Sequence, residues 1–161
     1  MRQKMILIEE ATISDGEEIL ALQKLAYRSE AELYGDFTIP PMIQTLEEMR
    51  SDIRNQTVLK AVAEGRLAGT VRAFVRGDTC YVGRLAVHPD LQNRGIGREL
   101  MNRIESAFEK AGRFELFTGH LSEKNLHLYR KLGYKEFRTV KAHERLTIIF
   151  LEKVRPGMAR G

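Results

Sequence analysis

The run AVHPDLQNRGIGRELMNRIE, residues 86–105, decides how this chain is read. Gly95 and Gly97 stand one residue apart, after an apolar run and before a helical pattern, with Arg94 and Arg98 beside them. The first amides of a helix have no intrahelical partner, and the helix dipole puts partial positive charge there. Glycines let backbone approach a ligand with no Cβ in the way. Such a loop entering a helix is an anion site, and phosphate is its natural guest. The pattern is not G-x-G-x-x-G, because Leu100 stands at the third position. Nor is it a Walker loop, which needs Gly-Lys-Ser/Thr. A plain helix-entry turn is the alternative, and the flanking residues decide between the two.

Outward from this turn, the patterns alternate between strands and helices. Residues 5–10 predict a strand. Ser14-Asp15-Gly16-Glu17 reads as a capping box, and Ile19, Leu22, Leu25 and Ala26 follow at helical spacing. The segment SEAELYGDFTIPPM, residues 29–42, is expected to break that helix into a loop through Gly35 and Pro40-Pro41. Thr45 to Glu48 is a second capping box, opening a helix marked by Leu46, Met49 and Ile53. Three strand patterns then run from Thr57 to Pro89, parted by turns at Glu64-Gly65 and Arg76-Gly77-Asp78. The helix after Gly97 carries Leu100, Ile104, Ala107 and Phe108, and Gly112 ends it. RFELFTGH, residues 113–120, is a strand; Ser122 is placed to cap a helix with Leu126, Tyr129 and Leu132. EFRTV and RLTIIFLEKV are the last strands. The antiparallel hairpins argue against a doubly wound sheet. The crossover from strand 80–88 through helix 97–111 to strand 113–120 calls for one parallel pair. The expected class is α/β (α+β). Its sheet is mixed but mostly antiparallel, with six to seven strands and about four helices on both faces. One domain over 1–155 and a flexible tail over 156–161 are expected.

The 161 residues are enough for a real core. No apolar run is long enough for a membrane span, and the apolar N-terminal stretch is too short for a signal peptide. One cysteine, Cys80, excludes an internal disulfide and fits a reducing cytoplasm; it reads as a small apolar strand residue. Four scattered histidines give no metal-ligand spacing, so no metal is expected. Glu9 to Asp52 holds eleven acids and three bases, a net of −8, against +4 for the chain and so +12 for the remainder. Two surfaces for two kinds of partner, or merely a solvated acidic face, would produce this split. A nucleic-acid partner is not favoured, because no stacking aromatics are interleaved with the bases.

LAVHPDLQNRGIGRELM resembles the acyl-CoA signature of the GNAT N-acetyltransferase superfamily, Q/R-x-x-G-x-G/A, here Gln92-Asn93-Arg94-Gly95-Ile96-Gly97. The preceding L-x-V-x-P matches at Leu85, Val87 and Pro89. Downstream, SEKNLHLYRKLGYKEF is similar to the family's second motif in loose form, with Asn125 and Tyr129 four apart on one helix face. The matches span residues 80–137, and the element order fits over the whole chain. The resemblance implies a GNAT fold and transfer of an acetyl group from acetyl-CoA to a primary amine by direct attack. It implies pantetheine pairing along Leu85, Ala86 and Val87, with one of these amides polarising the thioester carbonyl. It further implies pyrophosphate on the amides from Arg94 to Arg98, with Gln92, Asn93, Gly95, Ile96 and Gly97 completing the loop. A cytoplasmic enzyme, a homodimer in many relatives, goes with this picture.

Tyr129 matches the family tyrosine that protonates the leaving thiolate; a packing aromatic is the alternative. Asn125 is expected to bond backbone or the pantetheine arm, and Tyr134 is core. The general base is left open. Many relatives carry a glutamate on the strand before the signature, where this chain has Val82-Gly83-Arg84. His120, at a strand end, has the right unperturbed pKa. Glu30, Glu32 or Asp36 could act through water, an arriving neutral amine needs no base, and His88 reads as structural. Glu30, Glu32 and Asp36, beside Tyr34, are expected to attract a cationic amine, or else only to face solvent. A non-catalytic acyl-CoA-binding sensor is the competing reading.

Overall fold

The computed structural model describes residues 5–156; most of the expected tail, 157–161, lies outside them. One seven-stranded sheet runs through it in the order β1-β2-β3-β4-β5-β7-β6. Its strands are β1 (Ile6–Glu10), β2 (Thr57–Ala63), β3 (Arg66–Arg76), β4 (Thr79–Val87), β5 (Arg113–Gly119), β6 (Lys135–His143) and β7 (Leu146–Val154). The helices are α1 (Gly16–Tyr34), α2 (Pro40–Ile43), α3 (Leu46–Asn55), α4 (Ile96–Ala107) and α5 (Glu123–Lys131). Every neighbouring pair is antiparallel except β4 with β5, the strands joined by α4. The expected mixed sheet is therefore observed, and so is its single parallel crossover.

Helices cover both faces. Leu100, Met101 and Ile104 of α4 and Leu126 and Tyr129 of α5 pack on Val71, Ala73, Phe114 and Leu151. On the other face, Ile19 of α1 and Met49 of α3 close on Ala11 and Val58. Cys80 is fully buried, and burial pushes its thiol up to about 12, so it packs as an apolar residue. No described helix is long and apolar enough to cross a membrane.

Three local expectations are corrected. α1 does not break near Ser29; it continues to Tyr34 and ends at Gly35 in the left-handed conformation, φ 62°. SEAELY contains good helix formers and nothing that forces an earlier stop. Pro40-Pro41 opens the short α2, where a proline's missing N–H costs nothing. The first capping box joins Thr12 and Asp15, two residues earlier than the Ser14–Glu17 pairing. The box at Thr45 and Glu48 is formed as read. Ser122 precedes α5 but makes no side-chain cap bond, because its hydroxyl is engaged elsewhere.

Candidate functional site

The parallel ladder between β4 and β5 covers only Thr79–Tyr81 against Arg113–Glu115. Beyond it the two strands diverge, although β4 continues to Val87 and β5 to Gly119. A wedge therefore opens in the middle of the sheet. A bulge in β4 widens it: the register with β3 slips between Arg72–Gly83 and Thr70–Ala86. Arg84 sits in that bulge at φ 53°, a conformation that a residue with a Cβ adopts only where its surroundings impose it. The His88 amide bonds the Ala68 carbonyl of β3 at 2.7 Å. Alternation along the strand turns the preceding Val87 amide the other way, toward the wedge.

The signature turn closes the wedge's mouth. Asn93 and Gly95 both take positive φ, 63° and 82°. Left-handed residues alternating with ordinary ones make a concavity of N–H groups. Gly95 is the N-cap of α4 with no side-chain cap bond, so the first amides of α4 are open to a ligand. Gly95 is required here because a Cβ resists this conformation. Wedge and turn belong to one cleft of about 1110 Å³, bounded by α1, β4, the turn, α4 and α5. That space suits a nucleotide-sized cosubstrate.

Of the residues singled out from the sequence, Leu85, Ala86, Val87, Gln92, Asn93, Gly95, Ile96, Gly97, Arg98, Asn125 and Glu30 line the cleft. Arg94 does not line it; its guanidinium pairs with Glu64 in the β2–β3 turn. Asn125 donates to Thr118 Oγ1 at 3.2 Å. Tyr129 lies behind the wall, 6% exposed, its ring 6.0 Å from that of Tyr134. Burial, then the nearby Tyr27 and Glu30, raises its phenol far above the ordinary tyrosine range. Tyr134 is core, as read.

The acceptor-side group is not brought together. Tyr34 is 3% exposed and presents no ring to the cleft. Its hydroxyl accepts from the Leu121 amide at 2.9 Å and meets Ser122 Oγ at 2.7 Å. Ser122 in turn donates to Glu30 at 2.5 Å, so Tyr34 donates to Ser122. This chain ties α1 to the start of α5. Asp36 is occupied by the Thr38 amide and hydroxyl and faces His143 at 3.3 Å. Glu32 and Asp36 stand outside the cleft. His120 also stands outside it, and its Nδ1 meets the backbone of Thr147, the amide at 3.0 Å and the carbonyl at 3.3 Å.

Sequence reasoning missed Tyr27 and Arg84. Tyr27 lines the cleft and donates to the Leu85 carbonyl at 3.1 Å; burial pushes its phenol up to about 12. A signal existed: Gln23, Tyr27, Glu30 and Tyr34 recur at spacings of four, three and four, a polar stripe on one side of a helix.

Residues 54–136 match the family model described as "Acetyltransferase (GNAT) domain". A curated relative, the UPF0157 protein YqkA of Bacillus subtilis (strain 168), is 30% identical over 140 residues. That alignment takes in 87% of this chain, which spans 40% of the relative's length. Among solved structures, the PaiA N-acetyltransferase of Thermoplasma acidophilum in complex with coenzyme A superposes with TM-score 0.75. It is 18% identical, covering 94% of this chain and 99% of that one. The ribosomal-protein-S18-alanine N-acetyltransferase of Escherichia coli superposes with TM-score 0.76 at 17% identity, covering 97% and 100%.

Proposed function

The chain belongs to the GNAT acetyltransferase family, and on that premise we propose that it transfers an acetyl group from acetyl-CoA to a primary amine by direct attack in a ternary complex. The observation that carries the reading is the wedge between β4 and β5, with the open amides of α4 at its mouth. A pantetheine arm is an extended chain with amide groups, and a diverging strand pair offers it a backbone edge. The turn's amides and the α4 dipole suit a pyrophosphate. Arg98 adds charge at the rim, and Gln92, Asn93 and Asn125 add polar contacts.

In this reading the Val87 amide, turned toward the wedge, donates to the thioester carbonyl, and such a fixed donor stabilises the charge that develops there. Holding amine and thioester together supplies much of the rate. The motif match assigns the proton for the departing sulfur to Tyr129, whose ring lies behind the cleft wall beside the cleft-lining Leu128. Glu30 takes the amine's proton through water; of the two carboxylates that line the cleft, Glu30 and Glu123, it is the one that Ser122 steadies. The enzyme acts in the cytoplasm and needs no metal.

The test is a panel of primary amines incubated with acetyl-CoA, with thiol release and acetylated product measured together. Turnover of at least one amine is expected. Acetyl-CoA binding without product from any amine would make the chain an acyl-CoA-binding module instead.

A further inference from the structure

Arg84 is held in an unusual way. The β4 bulge turns it at φ 53°, one residue before Leu85, which lines the cleft. Bulges re-aim side chains, and this one sends Arg84 toward the loop between α2 and α3. There Nη1 donates to Gln44 Oε1 at 2.8 Å. Gln44 is itself fixed, because the same oxygen accepts from Gln23 at 2.9 Å and its amide donates to Asp52 at 2.5 Å. Gln23 and Gln44 are both buried. Arg72 lies alongside and takes Asp52 at 2.5 Å.

The network positions the Arg84 guanidinium without satisfying it. A guanidinium has five N–H donors, and Arg84 makes one hydrogen bond among the described residues, to a neutral amide. Its other donors are not sealed off: no Arg84 nitrogen is among the buried, unbonded side-chain atoms of the described residues. Asp52 is shared by Arg72, Gln44 and Gln56. Glu48 holds the Thr45 cap and reaches Arg84 only through its field. Burial, then Arg72, disfavours the Arg84 charge. An anion placed there would relieve both. Arg84 is not itself among the residues that line the cleft; Tyr27, which is, feels Arg84 and Glu30 with opposite signs.

We propose that Arg84, backed by Arg72, seats a carboxylate of the acceptor, so that the amine acetylated is a free amino acid or a similar small amine bearing a carboxylate near its nitrogen. A planar guanidinium pairs with a carboxylate through two parallel N–H bonds, and its fork fixes the acceptor's orientation. The amine then points from Arg84 past Tyr27 toward Glu30 and the acyl carbon. The assignment rests on the acetyltransferase reading above.

The test compares matched sets: each amino acid, its carboxamide and its decarboxylated amine, at saturating acetyl-CoA, read by thiol release. The best free amino acid is expected to exceed its carboxamide in kcat/KM by about 10- to 100-fold, the range of a lost charge-assisted bond. Arg84→Gln should erase that preference by raising KM for the amino acid, with Arg84→Lys restoring part of it. Should Arg84→Gln fail to fold, the wild-type preference alone decides. Equal use of carboxylates and carboxamides, or an Arg84→Gln enzyme that keeps the preference, overturns the carboxylate seat and leaves the transferase reading standing. Absence of turnover with every amine overturns both.

Discussion

Gly97→Glu tests the phosphate cradle where its physics is sharpest. A Cβ at Gly97 would lie 3.4 Å from Leu128, 3.8 Å from Val87 and 3.9 Å from Leu85, so a side chain there projects among the walls of the cleft. Alanine fits at ordinary contact distance, and Gly97→Ala separates bulk from charge. We take roughly 5 Å, a side-chain length, as the separation between that carboxylate and a pyrophosphate seated on the α4 amides. At an effective dielectric of about 20, one unit of like charge at that distance costs about 3 kcal/mol. Acetyl-CoA affinity should therefore fall about 100-fold or more in Gly97→Glu, and only a few-fold in Gly97→Ala. Calorimetric titration gives both values. Raising salt to about 1 M should shrink the gap between the variants, because screening then acts within about 3 Å. If Gly97→Glu binds acetyl-CoA within threefold of Gly97→Ala, the pyrophosphate does not sit on the α4 amides.

Tyr129→Phe should lower kcat by roughly 10²–10⁴ with acetyl-CoA affinity nearly unchanged; an unchanged kcat, where chemistry limits the rate, returns Tyr129 to packing. Gly119→Ala should be strongly destabilising, because the new Cβ would fall 2.1 Å from the Tyr34 hydroxyl and 2.4 Å from its Cζ. Displacing the ring costs about 1–3 kcal/mol of overpacking plus about 1 kcal/mol for each hydrogen bond lost. That is a Tm drop of about 5–15 °C by calorimetry; a drop under 2 °C would mean that the chain from Tyr34 to Glu30 is easily rearranged. Asp15 titrates below the ordinary carboxylate range, since hydrogen bonds from Lys60 and the Thr12 amide outweigh the opposing effect of burial. A depressed carboxyl stabilises the fold above its unfolded pKa of about 3.9 and loses that contribution as pH falls through the folded value. The stability gap between wild type and Asp15→Asn should be about 0.5–1 kcal/mol at pH 7 and close toward pH 3. Denaturant titrations at the two pH values measure it.

Much of the site was legible because it is local. The turn from Gln92 to Arg98 declares itself by glycine spacing and by the helix that follows, and backbone makes most of it. β4 was legible by alternation, although its bulge at Arg84 was not, since nothing in YVGRLAV marks an arginine for positive φ. The geometry on the acceptor side was not legible, for one reason. Gly35 ends α1 rather than interrupting it, so Tyr34 falls on the last helical turn and faces inward while Glu32 faces out. Contacts that define the rest join distant residues: Tyr27 with Leu85, Arg84 with Gln44, Ser122 with Glu30. Only the sheet order brings these together. His120 illustrates the converse, a residue of suitable chemistry whose ring nitrogen the neighbouring strand already uses.

Backbone amide chemical shifts followed during an acetyl-CoA titration test the central claim most directly. The largest changes are expected at Leu85, Ala86 and Val87 on β4 and at Ile96, Gly97 and Arg98 in the first turn of α4, saturating together, with β1 and β6 quiet. Changes centred elsewhere, or saturation with β4 and the α4 turn unmoved, would contradict it.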